Sequence, residues 1–169
     1  MAQTVYDPPV STYVPLATIT LSSTDKEIVF SSIPAGYRDL IVVYNAKVVS
    51  SSGTCWIRLN GDTGTNYSDV VMYGTGSGSG VSNARTSQTV AYAGPVNTTD
   101  SMVIAQVMDA GASDKHKTIL VRENRPASWV GARAARWANN AQVSSITVSN
   151  DSPANFTIGS TFSLFGVEA

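Results

Sequence analysis

Four side chains with oxygen donors, Asn60, Asp62, Asn66 and Asp69, stand in one short stretch with Gly61 and Gly64 among them. Alternating oxygens with glycines for tight turning are what hard cations such as calcium prefer. The spacing departs from the D-x-[DN]-x-[DN]-G loop pattern, and the same side chains can close Asx-type turns on their own backbone instead. A turn is therefore the leading expectation, with calcium at Asn60, Asp62 and Asn66 as the minor alternative. Asn60-Gly61 also supplies the positive-φ pair that tight turns require. Arg58 to Tyr67 is thus a shaped loop, either a structural joint or a site.

Other chemistry is thinly represented. The one histidine, His116, lies in Asp114-Lys-His-Lys117, which reads as a solvated strand end, and a Ser/His/Asp mechanism would rest on it alone. The one cysteine, Cys55, rules out an intramolecular disulfide and, beside Trp56 in a strand pattern, reads as a buried apolar filler. One Cys and one His do not make a zinc site. The run Gly74 to Gly80 has neither the G-x-S-x-G spacing of a nucleophile elbow nor the following Gly-Lys of a phosphate-binding loop. Asp62, Asp69, Asp100, Asp109, Asp114 and Glu123 lie in or near loops that could converge. A glycosidase would need two of them at a defined separation and a cleft rich in aromatics, which are only 8% of the chain and unclustered. Trp129 and Trp137, with Arg133 and Arg136, could form a stacking surface for a sugar or protein; packing in the core or at a subunit interface is the simpler account. No catalytic residue and no cofactor is expected.

The elements that must position these residues are strands. From Leu16 onward the period is two: Ala17, Ile19 and Leu21 alternate with threonines, and Cys55, Ile57 and Leu59 alternate around Trp56 and Arg58. Arg38 to Val49 is apolar on both faces at its centre and reads as an inner strand. Further strands are expected at 101–109, 116–123, 129–137, 143–149, 155–158 and 161–168. Stretch 132–141 has some helix formers, but its alternation assigns it to strand. Gly74 to Gly80 reads as a mobile loop or hairpin tip, and residues 81–98 as a long polar excursion of the kind that carries binding surfaces. Eight to ten short strands with turn signals between them predict a single-domain antiparallel β-sandwich, jelly-roll-like, over 16–169.

Residues 1–15 are different. Pro8, Pro9 and Pro15 interrupt a polar stretch that includes Tyr6 and Tyr13, which predicts an extended N-terminal arm, either a frayed terminus or a segment whose tyrosines dock on a neighbouring subunit. Tyr6, Pro8, Pro9, Tyr13, Trp129 and Trp137 are the candidate interface residues.

Composition narrows the partners. In 169 residues, charged side chains make up only 14% and the formal net charge is −1, with no basic block to neutralise phosphates, so no nucleic-acid partner is expected. Apolar runs are too short to span a bilayer and no basic-then-apolar leader opens the chain, which predicts synthesis in the cytoplasm and no membrane partner.

Three stretches carry a resemblance: Ile28-Val-Phe-Ser-Ser-Ile-Pro-Ala-Gly-Tyr-Arg-Asp-Leu40, Arg58-Leu-Asn-Gly-Asp-Thr-Gly-Thr-Asn-Tyr67 and Gly159-Ser-Thr-Phe-Ser-Leu-Phe-Gly-Val167. Together they resemble small virion proteins of tailed bacteriophages. That resemblance implies a non-enzymatic structural subunit with a sandwich or jelly-roll fold. The expected role is a decoration or cement protein, a homotrimer on the outer capsid surface whose partner is the major capsid protein or another virion subunit. A tail or head-fibre component that recognises a host glycan or protein is the alternative, and a carbohydrate-processing enzyme the third possibility.

Overall fold

The computed structural model describes residues 12–78 and 80–168. Within them the chain forms β1 (Tyr13–Thr20), β2 (Glu27–Phe30), β3 (Asp39–Ala46), β4 (Gly53–Leu59), β5 (Tyr67–Gly74) and β6 (Gly80–Gln88). It continues with β7 (Ala91–Val96), β8 (Ser101–Met108), β9 (Lys117–Arg125), β10 (Trp129–Trp137), β11 (Ile146–Asn150) and β12 (Thr161–Val167). An eight-stranded sheet runs β1-β12-β3-β8-β9-β10-β5-β6, and a four-stranded sheet runs β2-β11-β4-β7. Every pairing is antiparallel. The all-β antiparallel sandwich read from the sequence is the observed architecture.

The core follows from the period of two, because alternate side chains on each strand face the opposite sheet. Val42, Tyr44, Val103, Ala105, Ile119, Phe162 and Leu164 from the large sheet meet Ile28, Phe30, Cys55, Ile57, Leu59 and Val148 from the small one. Cys55 is fully buried, as expected of a filler. β3 is buried on both faces at Leu40, Ile41 and Val42, which is the inner strand the sequence predicts. Tyr44 carries its hydroxyl across the core to donate to the Ala93 carbonyl, joining the sheets by a hydrogen bond as well as by packing. Lys117 is buried at the start of β9, and its ammonium donates to the carbonyls of Ala112 (2.6 Å), Lys115 (2.8 Å) and Asn140 (3.2 Å). It therefore clamps the β8–β9 and β10–β11 loops together.

The strand count exceeds expectation because β5, β6 and β7 fall where no strand was expected, and the last two hide their signal. β6 is exposed over nearly its whole length, so nothing selects apolar residues at alternate positions. β7 contains Gly94-Pro95, which reads as a turn, yet both lie in the strand at the edge of the small sheet, where proline is tolerated. Residues 81–98 are thus mostly strand rather than a long excursion. Gly74 and Gly80 pair across β5 and β6, so the glycine run is a hairpin tip. The strand expected at 155–158 is reduced to single bridges from Phe156 to Asp25 and Val48.

The boundary of the arm also moves. β1 begins at Tyr13 and pairs with β12 along the edge of the large sheet, so residues 13–15 belong to the sandwich. Pro15 is accommodated there because the strand is an edge and its register shifts at that point. Tyr6, Pro8 and Pro9 lie outside the described residues.

At Gly94 the small sheet passes close against the large one. The glycine's φ is +103°, and a Cβ built on it would lie 2.9 Å from Glu123 Cβ and 2.9 Å from Val103 Cγ2. Gly94→Ala combines backbone strain with overpacking and is expected to cost about 3 kcal/mol or more, read as a lower denaturant midpoint.

Candidate functional site

The Arg58–Tyr67 stretch is the corner that takes the chain from β4 in the small sheet to β5 in the large one. Asn60 and Gly61 have φ of 52° and 65°, as the Asn-Gly pair predicts, and the Asp62 amide donates to the Leu59 carbonyl at 3.0 Å to close the turn. The side chains expected as calcium ligands are committed elsewhere. Asn60 Oδ1 accepts from the Ser144 and Ser145 amides at 2.8 and 3.1 Å, while its Nδ2 donates to the Gln142 carbonyl. Asp62 Oδ1 accepts from the Gly64 amide at 2.8 Å. Its Oδ2 accepts from Asn66 Nδ2 at 2.8 Å and Trp137 Nε1 at 2.7 Å. Among the described residues no group of three or more His, Cys, Asp or Glu is placed to hold a metal. The loop is bonded as a joint, and its donors are spent on internal partners.

That arrangement relocates Trp137. The sequence offered it for an interface, but it is 1% exposed, stacked on Tyr67 with ring centroids 6.3 Å apart and fastened to Asp62. An indole needs one acceptor when buried, and the corner loop supplies it. Trp129 is half-buried, stacked on Tyr73 at 3.7 Å and donating to Glu123 Oε1 at 3.0 Å. The two tryptophans occupy opposite ends of β10 and share no surface.

Two of the six carboxylates do converge. Asp69 on β5 and Glu123 on β9 meet the Arg133 guanidinium on β10, with Nη1 to Asp69 Oδ1 at 2.9 Å and Nε to Glu123 Oε2 at 3.7 Å. Arg85 on β6 donates to both Asp69 oxygens and lies 3.2 Å over the Tyr92 ring of β7. Two cations thus balance two anions where the large sheet overhangs the small one. Glu123 Oε2 and Arg133 Nε have no hydrogen-bond partner among the described residues, so this contact is purely coulombic. Burial pushes the Glu123 carboxyl above its ordinary value, with Arg133 and Trp129 pulling the other way. Sequence could list these residues but not their registry; Arg133↔Val121 and Ala135↔Asp69 in the ladders bring them together.

The surface that stands out is the outer face of the large sheet. Cross-strand rows place Gln106, Leu120, Ala134, Val70 and Ala84 side by side, with Ile104, Arg122, Ala132, Met72 and Ser82 in the next row. Met72 and Val130 are 64% and 66% exposed, and Val70, Ile104, Leu120 and Met102 are each close to half exposed. Small residues at Ala132 and Ala134 between these larger ones leave a hollow of about 680 Å³, at whose far side Tyr13 stands. The six large side chains expose on the order of 500 Å² of contiguous apolar surface, the upper range for an ordinary monomer. The sequence signal existed, as Val70, Met72, Ile104 and Leu120 are apolar at outward strand positions. It went unread because a half-buried antiparallel sheet is expected to be polar outside.

No protein-family model matches the chain, and no curated protein matches its sequence.

Two measurements probe the joint and the cluster. Asp62→Ala should cost about 1–3 kcal/mol by stranding Trp137 Nε1, with the same loss whether calcium is added or chelated. Hydrogen bonds from Asn66 and Trp137 hold the Asp62 carboxyl below its ordinary 3.8, so its stabilisation is present above that pH and declines as pH falls further. Glu123 has the opposite sign: its folded form retains the proton longer, so it erodes stability as pH rises above its ordinary 4.5. Glu123→Gln should therefore gain stability relative to the parent across that rise and hold a constant difference beyond it, in melting curves recorded against pH.

Proposed function

We propose that the protein is a non-enzymatic structural subunit of a tailed-phage particle, a decoration or cement protein on the outer surface of the head. The observation that carries this reading is the apolar outer face of the eight-stranded sheet, which favours cover by protein over exposure to water. The strand orders support it. The orders β1-β12-β3-β8 and β2-β11-β4-β7 suit a jelly roll of two Greek keys, with the hairpins β5–β6 and β9–β10 widening one sheet. Widening adds outward-facing area without adding core. The resemblance at Ile28–Leu40, Arg58–Tyr67 and Gly159–Val167 supplies the phage particle as the setting, with the major capsid protein as partner and a homotrimer as the assembling unit.

The alternative, a tail or head-fibre component that recognises a host glycan or protein, calls for an aromatic-lined concavity on the Gly74–Pro95 stretch. Trp129 and Tyr73 cover each other there and Trp137 is in the core, so the decoration reading has more support. The carbohydrate-processing reading has less, because Asp62 and Asp69 are bonded into separate networks.

The test is to mix purified protein with phage heads that lack it and to measure bound copies per head. Saturable binding is expected, with Met72→Lys and Val130→Lys each reducing occupancy about tenfold at unchanged melting temperature. Full occupancy by both variants, or binding to host cells with none to heads, would overturn the proposal.

A further inference from the structure

Of the seven arginines in the chain, five are engaged within the fold. Arg38 pairs with Asp39, Arg85 and Arg133 pair with Asp69, Arg58 lies over the Trp56 ring, and Arg125 donates to the Ser128 hydroxyl at 2.6 Å. The side chains of Arg122 and Arg136 are exposed and have no such partner among the described residues. Both stand on the outer face of the eight-stranded sheet, Arg122 level with Ile104 and Ala132, Arg136 level with Thr118 and Ser68. Arg122 lines the hollow of about 680 Å³ and Arg136 a second one of about 370 Å³, and the two hollows share Val70 and Ala134. Asp39, at the end of β3, offsets neither: its oxygens accept from the Asp109 amide, Gln106 and Arg38.

Cover of this face therefore has a requirement that apolar contact does not meet. Burial strips water from both guanidinium groups, and a desolvated charge without a counter-ion is costly. A carboxylate restores the balance best, because the guanidinium fork binds it in bidentate fashion. A phosphate backbone fits less well. It calls for a row of cations, whereas Leu120 and Ala134 lie between these two and Ile104 and Val70 beside them. We propose that the part of the head this face covers is acidic as well as apolar, setting one carboxylate against Arg122 and another against Arg136. The inference rests on the reading of the outer face as the head-binding surface and names the chemistry of its partner.

Two separated charges also bear on orientation. The hydrophobic effect is non-directional, so the apolar part of the face holds the protein down without choosing how it is turned. The arginines are one strand and four residues apart, a Cα separation of about 14 Å in a flat sheet. Each lines a different hollow, so two matching carboxylates define a line across the face and narrow the rotations in which the protein can sit. Ion pairs placed across an interface fix register in this way and penalise wrong partners.

Two experiments with the full-length protein and heads that lack it test this. Arg122→Glu and Arg136→Glu should each weaken binding roughly tenfold or more at unchanged melting temperature, by setting like charges face to face. Arg58→Glu, the same reversal on the small sheet, should leave binding unchanged. Should either outer-face variant lose its cooperative melt, Arg→Gln at that position replaces it, with a loss of about threefold expected. In the second experiment Arg122→Lys and Arg136→Lys keep the charge and supply a primary amine. A carbodiimide, which joins an amine to an adjacent carboxylate with loss of water, should link each lysine to an aspartate or glutamate of the head, located by mass spectrometry. Parent-like binding by both Glu variants, an equal loss with Arg58→Glu, or no link from either lysine would overturn the proposal. If Met72→Lys still loses occupancy in any of those cases, the head-binding reading stands without it. Failure of the parent protein to bind heads would overturn that reading, and this inference with it.

Discussion

Eight strands present more inner face than four strands can cover, and most of what distinguishes this sandwich follows from that inequality. Over β12, β3, β8 and β9 the small sheet is overhead and the inner residues are aliphatic or aromatic. Further out, at β10, β5 and β6, cover thins and Arg133, Asp69 and Arg85 join the apolar Ala135, Trp137 and Tyr67 at inner positions, with Glu123 at the border. Charges there need only be paired with each other, since Tyr92 of β7 lies over the guanidinium groups as a partial roof. Buried ion pairs of this kind add little net stability over apolar packing, but removing one member leaves an uncompensated charge. They serve to hold the β5–β6 wing in one register against the sandwich.

A wing held this way changes the outside of the molecule too. Once β9–β10 and β5–β6 extend the large sheet, its outer face becomes broad enough to act as a surface. Its residues are Val70, Met72, Ile104, Leu120 and Val130, where solvent contact alone would select polar ones. The same eight-against-four mismatch thus explains a charged cluster on the inner face and an apolar hollow on the outer one. The corner at Asn60–Asn66 makes the inequality possible, because it delivers the chain from β4 in the small sheet to β5 in the large sheet. Trp137 and Tyr67 lock that corner to β10 and to the end of β4, Tyr67 through its hydroxyl, which accepts from the Leu59 amide at 2.9 Å.

Much of the fold was legible in the residues. Alternation over 16–21, 55–59, 101–109 and 129–137 located strands near their observed bounds, and the Asn60-Gly61 pair announced its positive φ angles. β6 was illegible because an exposed strand needs no apolar period, and β7 because Gly94 and Pro95 are turn residues by local chemistry but close-approach and edge residues by position. Trp137 was misassigned for a related reason. An aromatic beside arginines on an alternating strand looks the same in sequence whether its face turns toward solvent or toward a core, and only the opposing sheet settles which.

By itself the sequence determined the class of structure: period-two patterning, scarce charge and closely spaced turn residues admit an antiparallel β-sandwich, and a lone Cys and His exclude the usual zinc sites. It also determined the Arg58–Tyr67 turn, since local backbone conformation depends on neighbours in the chain. Tertiary structure alone decided which strands share a sheet, that Asp69 and Glu123 meet on Arg133, and that Met72, Ile104 and Val130 form one continuous surface. The physical reason is that side-chain direction along a strand is a local property, whereas the neighbour across a ladder is set by register between segments far apart in sequence.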